Sequence, residues 1–362
     1  SRNYLLELMN VTPTSANVLK YAEIVKDKSV LRRIGETASH ISLLIEEGAN
    51  DSGAVLEAAE REIYAIRQGR NTGGLEAISS IVGGVYKQLA ELAKNGSEIP
   101  GLSTGISDLD NFLMGLKKSD FIILASRPGM GKTAFALQVA ASCGSPALFV
   151  TTEMGPLELL RRITARVTNT YLGRLKSGEL TAAASLELAT RAAAACPRLA
   201  FMDATRAHVA PWAIDGEGPG ILEAAEAWRD RHGAVSCLVV VDSLHTWADS
   251  AARPFATEYE SLNAGVDELR RLAARLGAPV LAIAERNRAN MASAGQSAGA
   301  GTRKLEYQAD TVLALQREGQ DWTPDAAGEY SVSVKVAKNR NGATGPSVPL
   351  RFHGALQAFR EP

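Results

Sequence analysis

Between Phe121 and Ser142 the chain passes from an apolar run, FIILAS, through SRPGMGKT (Ser126 to Thr133) into the helix-forming run AFALQVAAS. An apolar strand, a glycine-containing turn and a helix in that order leave few folds open, because the turn must expose the helix N-terminus at a strand tip. There the unpaired backbone N–H groups form a cradle for phosphate. In this context Ser126, Arg127, Pro128, Gly129, Met130 and Gly131 form the loop, Lys132 reaches the β and γ phosphates, and Thr133 holds magnesium. The general pattern GxxxxGK[ST] has a glycine where this chain has Ser126. The competing reading is a chance GKT turn, against which stand the strand before it and the helix after it.

From Pro100 onward short β-rich runs alternate with helices: 121–126, 147–152, 199–204, 237–243 and 279–285. They are apolar except at their ends, as strands covered on both faces are. An α/β fold with a mainly parallel sheet follows. ADTVLAL (309–315) and the alternating YSVSVKVAK (330–338) come next, and NGATG (341–345) turns into SVPLRF as an antiparallel hairpin at the sheet edge.

Carboxylates end two of these strands. Asp242 closes CLVVVD, where an acid meets magnesium beside a phosphate loop, and the alternative is a turn cap. Glu153 follows ALFVTT, where it can polarise an attacking water, or simply serve as an N-terminal acid for the helix PLELLRRITARV. Asp203 repeats the signal more weakly and reads as a turn residue. Lys338 and Arg340, beside a tight turn in AKNRNG, are either solvated cations or, in a ring, groups reaching a neighbouring subunit's γ-phosphate.

Ahead of this core the pattern is helical. Apolar residues from Val18 to Ile45 recur near every 3.6 positions and predict an amphipathic helix over 17–47. Asp51 and Ser52 start a second that closes near Gly69, completing an antiparallel helical hairpin, and Leu75 to Leu92 mark a third between two linkers. The expected division is 1–70, 71–98 and 99–362. Two long loops, His208–Gly220 and Arg286–Gly301, read as functional or disordered.

Composition rules out some classes. The 362 residues carry a net charge of −1, so any nucleic-acid contact rests on local patches such as Lys335, Lys338, Arg340, Arg351 and Arg360 near the C-terminus. No apolar run approaches the ~20 residues that span a bilayer. The N-terminus SRNYLLELMN has no signal-peptide pattern, which points to the cytosol, and its lack of an initiator Met suggests a piece of a longer chain. Cys143, Cys196 and Cys237 form no CxxC pair and read as reduced core residues.

From Tyr4 to Phe359 the chain resembles the DnaB-type replicative DNA helicases of bacteria and their phages, through SRPGMGKTAFAL, TTEM (Thr151 to Met154), VVVDSL, AIAERNR (Ala282 to Arg288), LEYQAD (Leu305 to Asp310) and AKNRNGATG. The resemblance implies a RecA-like P-loop ATPase core working as a homohexamer that encircles single-stranded DNA, moves 5′ to 3′ and unwinds duplex with ATP and magnesium. It implies that Lys132 and Thr133 bind phosphates and metal, that Glu153 is the catalytic base, that Asp242 is the second metal residue, and that Lys338 and Arg340 act in trans. Residues 1–70 then resemble the end of an N-terminal collar and 71–98 a linker helix that docks on the adjacent subunit, with primase and a helicase loader as partners. The family commonly places a small non-glycine residue at the Ser126 position.

Three departures accompany it. Glu285 stands where the family has a glutamine sensing the γ-phosphate. A carboxylate there repels phosphate unless protonated, paired or turned away, toward Arg286 or Arg288. The DNA-gripping loop before LEYQAD reads AGTRK, leaving Arg303 and Lys304 as the cations near DNA. The stretch ATRAHVAPWAIDGEGPG also differs, with Trp212 open to readings as core, interface or loop anchor. Two other functions compete: a RecA-like recombinase-type ATPase, and a DNA-encircling, primase-recruiting ring with weak DNA-coupled hydrolysis.

Overall fold

The computed structural model describes residues 18–47, 99–213, 219–251, 257–285, 308–318 and 323–362. The chain divides into two compact units, Ser1–Lys94 and Asn95–Pro362. In the first, helix α1 (Val18–Glu47) matches the span of the expected helix within a residue, but of the expected apolar stripe Leu31, Ile34, Ala38 and Ile45 are exposed and Ile41 is half-buried. Its half-buried positions Thr37, Ile41 and Leu44 fall on one stripe at i, i+4 and i+7, while Leu31, Ile34, Leu43 and Ile45 are exposed. The second and third helices expected from the sequence lie outside the described residues.

In the second unit α2 (Ser107–Leu113) precedes β1 (Phe121–Ser126), α3 (Lys132–Ser142), β2 (Ala147–Thr151), α4 (Pro156–Thr168), α5 (Leu172–Lys176) and α6 (Ala182–Ala195). Then follow β3 (Leu199–Asp203), α7 (Ile221–Arg231), β4 (Leu238–Asp242), α8 (Leu244–Ser250), α9 (Glu258–Leu276) and β5 (Val280–Glu285). Strands β6 (Thr311–Arg317), β7 (Glu329–Asn339), β8 (Ser347–His353) and β9 (Ala358–Arg360) close the chain. These strands join one sheet in the order β3-β2-β4-β5-β1-β6-β7-β8-β9. The first six are mutually parallel and the last three add as antiparallel neighbours.

Alternation along each strand splits the core between the two sheet faces. Ile122 and Leu124 join Phe135, Phe149 and Leu159 under α3 and α4 on one face. Phe121 and Ile123 join Trp247, Val266 and Leu269 under α8 and α9 on the other. That is why the parallel strands read as unbroken apolar runs. Strand β3, at the edge of the sheet, is half-exposed along its length.

The expected strands hold to within two residues at their ends. Strand β9 was not expected: its three residues carry no period of their own, and they form a strand because Phe359 stacks on Phe352 and packs edge-on to Phe135. Of the loop His208–Gly220, residues 214–218 are not described, but the first part serves as an anchor. Trp212 packs against the α8/α9 core beneath the Arg275 guanidinium, 4.9 Å from its ring centroid. The N–H groups of Ile221 and Leu222 bond Ala210 and Pro211 carbonyls, seating the start of α7 on that loop. A Cβ on Gly220 would lie 2.3 Å from the Trp212 carbonyl carbon. Gly220→Ala is therefore expected to force the two segments apart, costing about 1–3 kcal/mol as overpacking does. A melting curve that does not move would refute this.

Candidate nucleotide site

The tips of β1, β2, β4 and β5 meet at one edge of the sheet, because Ser126 pairs in register with Glu285 and Thr151 with Asp242. Around them lies a cleft of about 430 Å³ lined by the phosphate loop, Glu153, Asp242 and Glu285. Gly131 caps α3 at φ 86° without a side-chain hydrogen bond, so the first N–H groups of this eleven-residue helix stay open toward the cleft. A Cβ at Gly131 would also press into the Phe352 ring at 2.8 Å, a second reason for glycine there.

The loop residues play unequal parts. Ser126 is buried, and its hydroxyl donates to the Arg127 carbonyl at 2.9 Å, so the serine in place of glycine is absorbed locally. Arg127, Pro128 and Gly129 are exposed, and Pro128 has no N–H to offer. The side chain of Met130 is buried in the core with the Arg317 Nε 3.4 Å from its sulfur, so only its backbone can face phosphate. Lys132 Nζ lies 3.4 Å from the carbonyls of Ser126 and Arg127 and from Glu285 Oε1.

That last contact answers the question Glu285 raised. The carboxylate is paired, and its partner is the phosphate-loop lysine itself, with Lys132 10% and Glu285 53% exposed. Arg286 and Arg288 lie outside the described residues.

Thr133 Oγ1 donates to Asp242 Oδ2 at 2.7 Å. Burial first, and the charge of Glu153 among the lesser causes, push Asp242 up to about 6 against the pull of this hydrogen bond. The hydroxyl and carboxylate side by side suit a hard cation that takes oxygen ligands. No group of three His, Cys, Asp or Glu side chains placed to hold a metal ion occurs among the described residues, so such a cation would draw its remaining ligands from water and phosphate.

Glu153 is held at Oε1 by the hydroxyls of Ser243 and Thr246. Sequence reasoning passed over both. Their signal was position, one and four residues beyond Asp242, but a serine and a threonine at a helix start read as ordinary caps. Tyr330, Phe352, Gly354 and Gln357 line the far side of the cleft and could not be foreseen, since β6 separates the β7 residue Tyr330 from β1, and β6 and β7 together separate β8 and the turn after it. Asp203 is exposed and accepts from its own neighbour Thr205, which makes it the turn residue expected.

Lys338 and Arg340 stand elsewhere. Asn339 pairs with Thr311 and Thr311 with Ile122, so the end of β7 lies near the start of β1, at the edge opposite the phosphate loop. Lys338 is half-buried, and Arg340 is 63% exposed with Nη1 3.0 Å from Asp310 Oδ1. Arg303 and Lys304 lie outside the described residues.

Residues 101–361 match the family model for the DnaB-like helicase C terminal domain. The chain is 28% identical to the replicative DNA helicase DnaB of Geobacillus stearothermophilus, over 97% of its own length and 76% of the relative's. It is also 28% identical to the DnaB of Treponema pallidum (strain Nichols), over 98% and 78% respectively. Among solved structures, a DnaB-like replicative helicase described with its interactions with primase superposes with a TM-score of 0.69, at 20% identity over 99% of this chain and 83% of that one. A second solved structure, of an isolated ATPase domain, superposes with a TM-score of 0.66, at 20% identity over 80% of this chain and 100% of that one. The matched segment holds every element that builds the cleft, and the chain belongs to the DnaB-like replicative DNA helicases, a family of ATP-hydrolysing enzymes.

Proposed function

We propose that this helicase runs as a homohexameric ring around single-stranded DNA, moving 5′ to 3′, with each ATP gripped by one subunit and completed by the next. One observation carries the reading: the phosphate loop and the Lys338–Arg340 turn lie at opposite edges of the same sheet. Ile122, in register with Thr311, is four residues before Ser126, roughly 13 Å along a strand. A cation so placed points away from its own nucleotide and is suited to serve a neighbour's.

Within one subunit Lys132 and the α3 N-terminus would hold the β and γ phosphates, displacing the Glu285 carboxylate from Lys132. Thr133 and Asp242 would hold magnesium, which when bound neutralises phosphate charge. Glu153, its Oε1 fixed by Ser243 and Thr246, has its other oxygen to orient water and take its proton. Lys338 and Arg340 of the neighbour would stabilise the charge that develops on the transferred phosphoryl group. Residues 1–70 would serve as collar, where a primase or loader would dock, and 71–98 as the linker that docks on the next subunit. Arg303 and Lys304 would touch the DNA backbone.

The test pairs two variants. Arg340→Ala is expected to lower ATP turnover about a thousandfold with ATP binding kept, as loss of an arginine finger does. Mixing it with Glu153→Ala subunits should recover activity at interfaces that combine an intact pocket with an intact turn. No recovery in rings shown to be mixed would defeat the trans assignment. Unwinding of a forked substrate tests the motor itself, and ATP turnover indifferent to single-stranded DNA would favour a ring that encircles DNA without coupled movement.

A further inference from the structure

The turn that carries Arg340 is tied down at its root, and Asp310 is the tie. This residue precedes β6 and is 8% exposed. Each of its polar groups is committed. Its N–H bonds the Phe121 carbonyl at 2.9 Å, and its Oδ2 accepts from the Phe121 N–H at 3.0 Å. Its carbonyl accepts from the Arg340 N–H at 2.8 Å, and its Oδ1 from Arg340 Nη1 at 3.0 Å. A residue tied to Phe121 at the start of β1 through both its N–H and its Oδ2 has little freedom of its own, and so fixes whatever its Oδ1 holds.

We infer that Asp310 is a positioning residue for catalysis in trans, holding the Arg340 guanidinium extended from the sheet edge toward the neighbouring subunit's phosphates. This rests on the reading of Arg340 as acting across the interface. A free arginine loses considerable rotamer entropy when it binds, and holding it beforehand removes part of that loss. The contact has the form an orienting role needs. It uses only Nη1, and the side chain stays 63% exposed, so the rest of a five-donor fork remains available. A contact that silenced the arginine would be two-pronged and buried.

The turn has further supports. Asn341 Nδ2 lies 3.4 Å from both oxygens of Asp120, and Lys117 Nζ reaches the Asn341 carbonyl at 3.4 Å. Asp120 lines the same cleft as Asp310 and Arg340, and burial first and the charge of Asp310 second push it up to about 6. Together with Arg270 and Ala274 the two carboxylates line this open cleft of about 290 Å³, which ends at Arg340.

Asp310→Asn keeps the volume but weakens the grip on the guanidinium. In the full chain it is expected to lower kcat for ATP tenfold or more, with KM, ring assembly and the melting curve close to the parent's. Mixing with Lys132→Ala subunits should restore turnover, because those subunits supply an intact turn to the variant's intact pockets. Parental kcat in Asp310→Asn beside an inactive Arg340→Ala overturns the inference and leaves the trans finger standing. Full turnover in Arg340→Ala overturns the finger itself. Failure of mixed rings to recover places the defect within the variant's own pocket and also overturns the inference. If Asp310→Asn melts early, Asp310→Glu, which keeps both acceptors and shifts the guanidinium by one methylene, decides on the same readouts.

Discussion

Lys132→Ala is expected to lower ATP turnover on the order of a thousandfold and to weaken nucleotide binding by more than the loss of one cation would. The excess comes from Glu285. In the intact site its carboxylate lies 3.4 Å from Lys132 Nζ, and the ammonium offsets its charge. Without Lys132 the carboxylate faces the triphosphate directly, and two like charges about 4 Å apart repel by roughly 4 kcal/mol at the effective dielectric of a protein surface. Glu285 is half exposed, so water screens much of this and a penalty of about tenfold in affinity is a fair expectation. The double variant Lys132→Ala/Glu285→Gln should recover that tenfold in binding while turnover stays lost. Glu285→Gln alone should bind ATP several-fold more tightly than the parent, since phosphate no longer competes with an internal anion for Lys132. Equal affinities for parent and Glu285→Gln, measured by titration with a slowly hydrolysed ATP analogue, would show that the ion pair does not oppose binding.

The fate of Glu285 also marks the limit of sequence reasoning here. Arg286 and Arg288, near in the chain, are the partners the sequence offers, and both lie outside the described residues. Among the described residues Lys132 is a partner because crossover connections bring β5 beside β1, which sets Glu285 against Ser126 across a long stretch of intervening chain. Where a motif carries its own local context, the placement is legible: Lys132, Thr133 and Asp242 lie together as strand–turn–helix and strand-tip logic requires. Features that exist only after closure were hidden, among them the grip of Ser243 and Thr246 on Glu153, the aromatic stack that makes β9 a strand, and the hold of Asp310 on Arg340. In each case the residue types are ordinary and only their meeting is informative.

Asp242 supplies the second large effect, one in which stability and function oppose each other. Buried at 4% exposure, it is pushed from an ordinary 3.8 to about 6, chiefly by desolvation. An acid whose pKa is higher folded than unfolded takes up a proton on folding. The stability it contributes is full below about pH 3.8 and is lost as pH climbs through about 6. At pH 7 the nucleotide-free protein thus carries a strained carboxylate that costs on the order of 3 kcal/mol. Asp242→Asn removes the charge and keeps the shape, so without nucleotide it should melt several degrees above the parent at pH 7, with the gap closing toward pH 5. The same substitution should abolish magnesium-dependent nucleotide binding, because the amide offers the cation no negative charge. In the parent, magnesium-dependent affinity for nucleotide should fall as pH drops below about 6, when Asp242 takes up its proton. If Asp242→Asn and the parent melt together at pH 7, the buried carboxylate is not strained. If Asp242→Asn keeps magnesium-dependent binding, a different group holds the metal. The strain belongs to the empty site, and a bound cation would relieve it, so this account requires magnesium with nucleotide to raise the parent's melting temperature more at pH 7 than at pH 5.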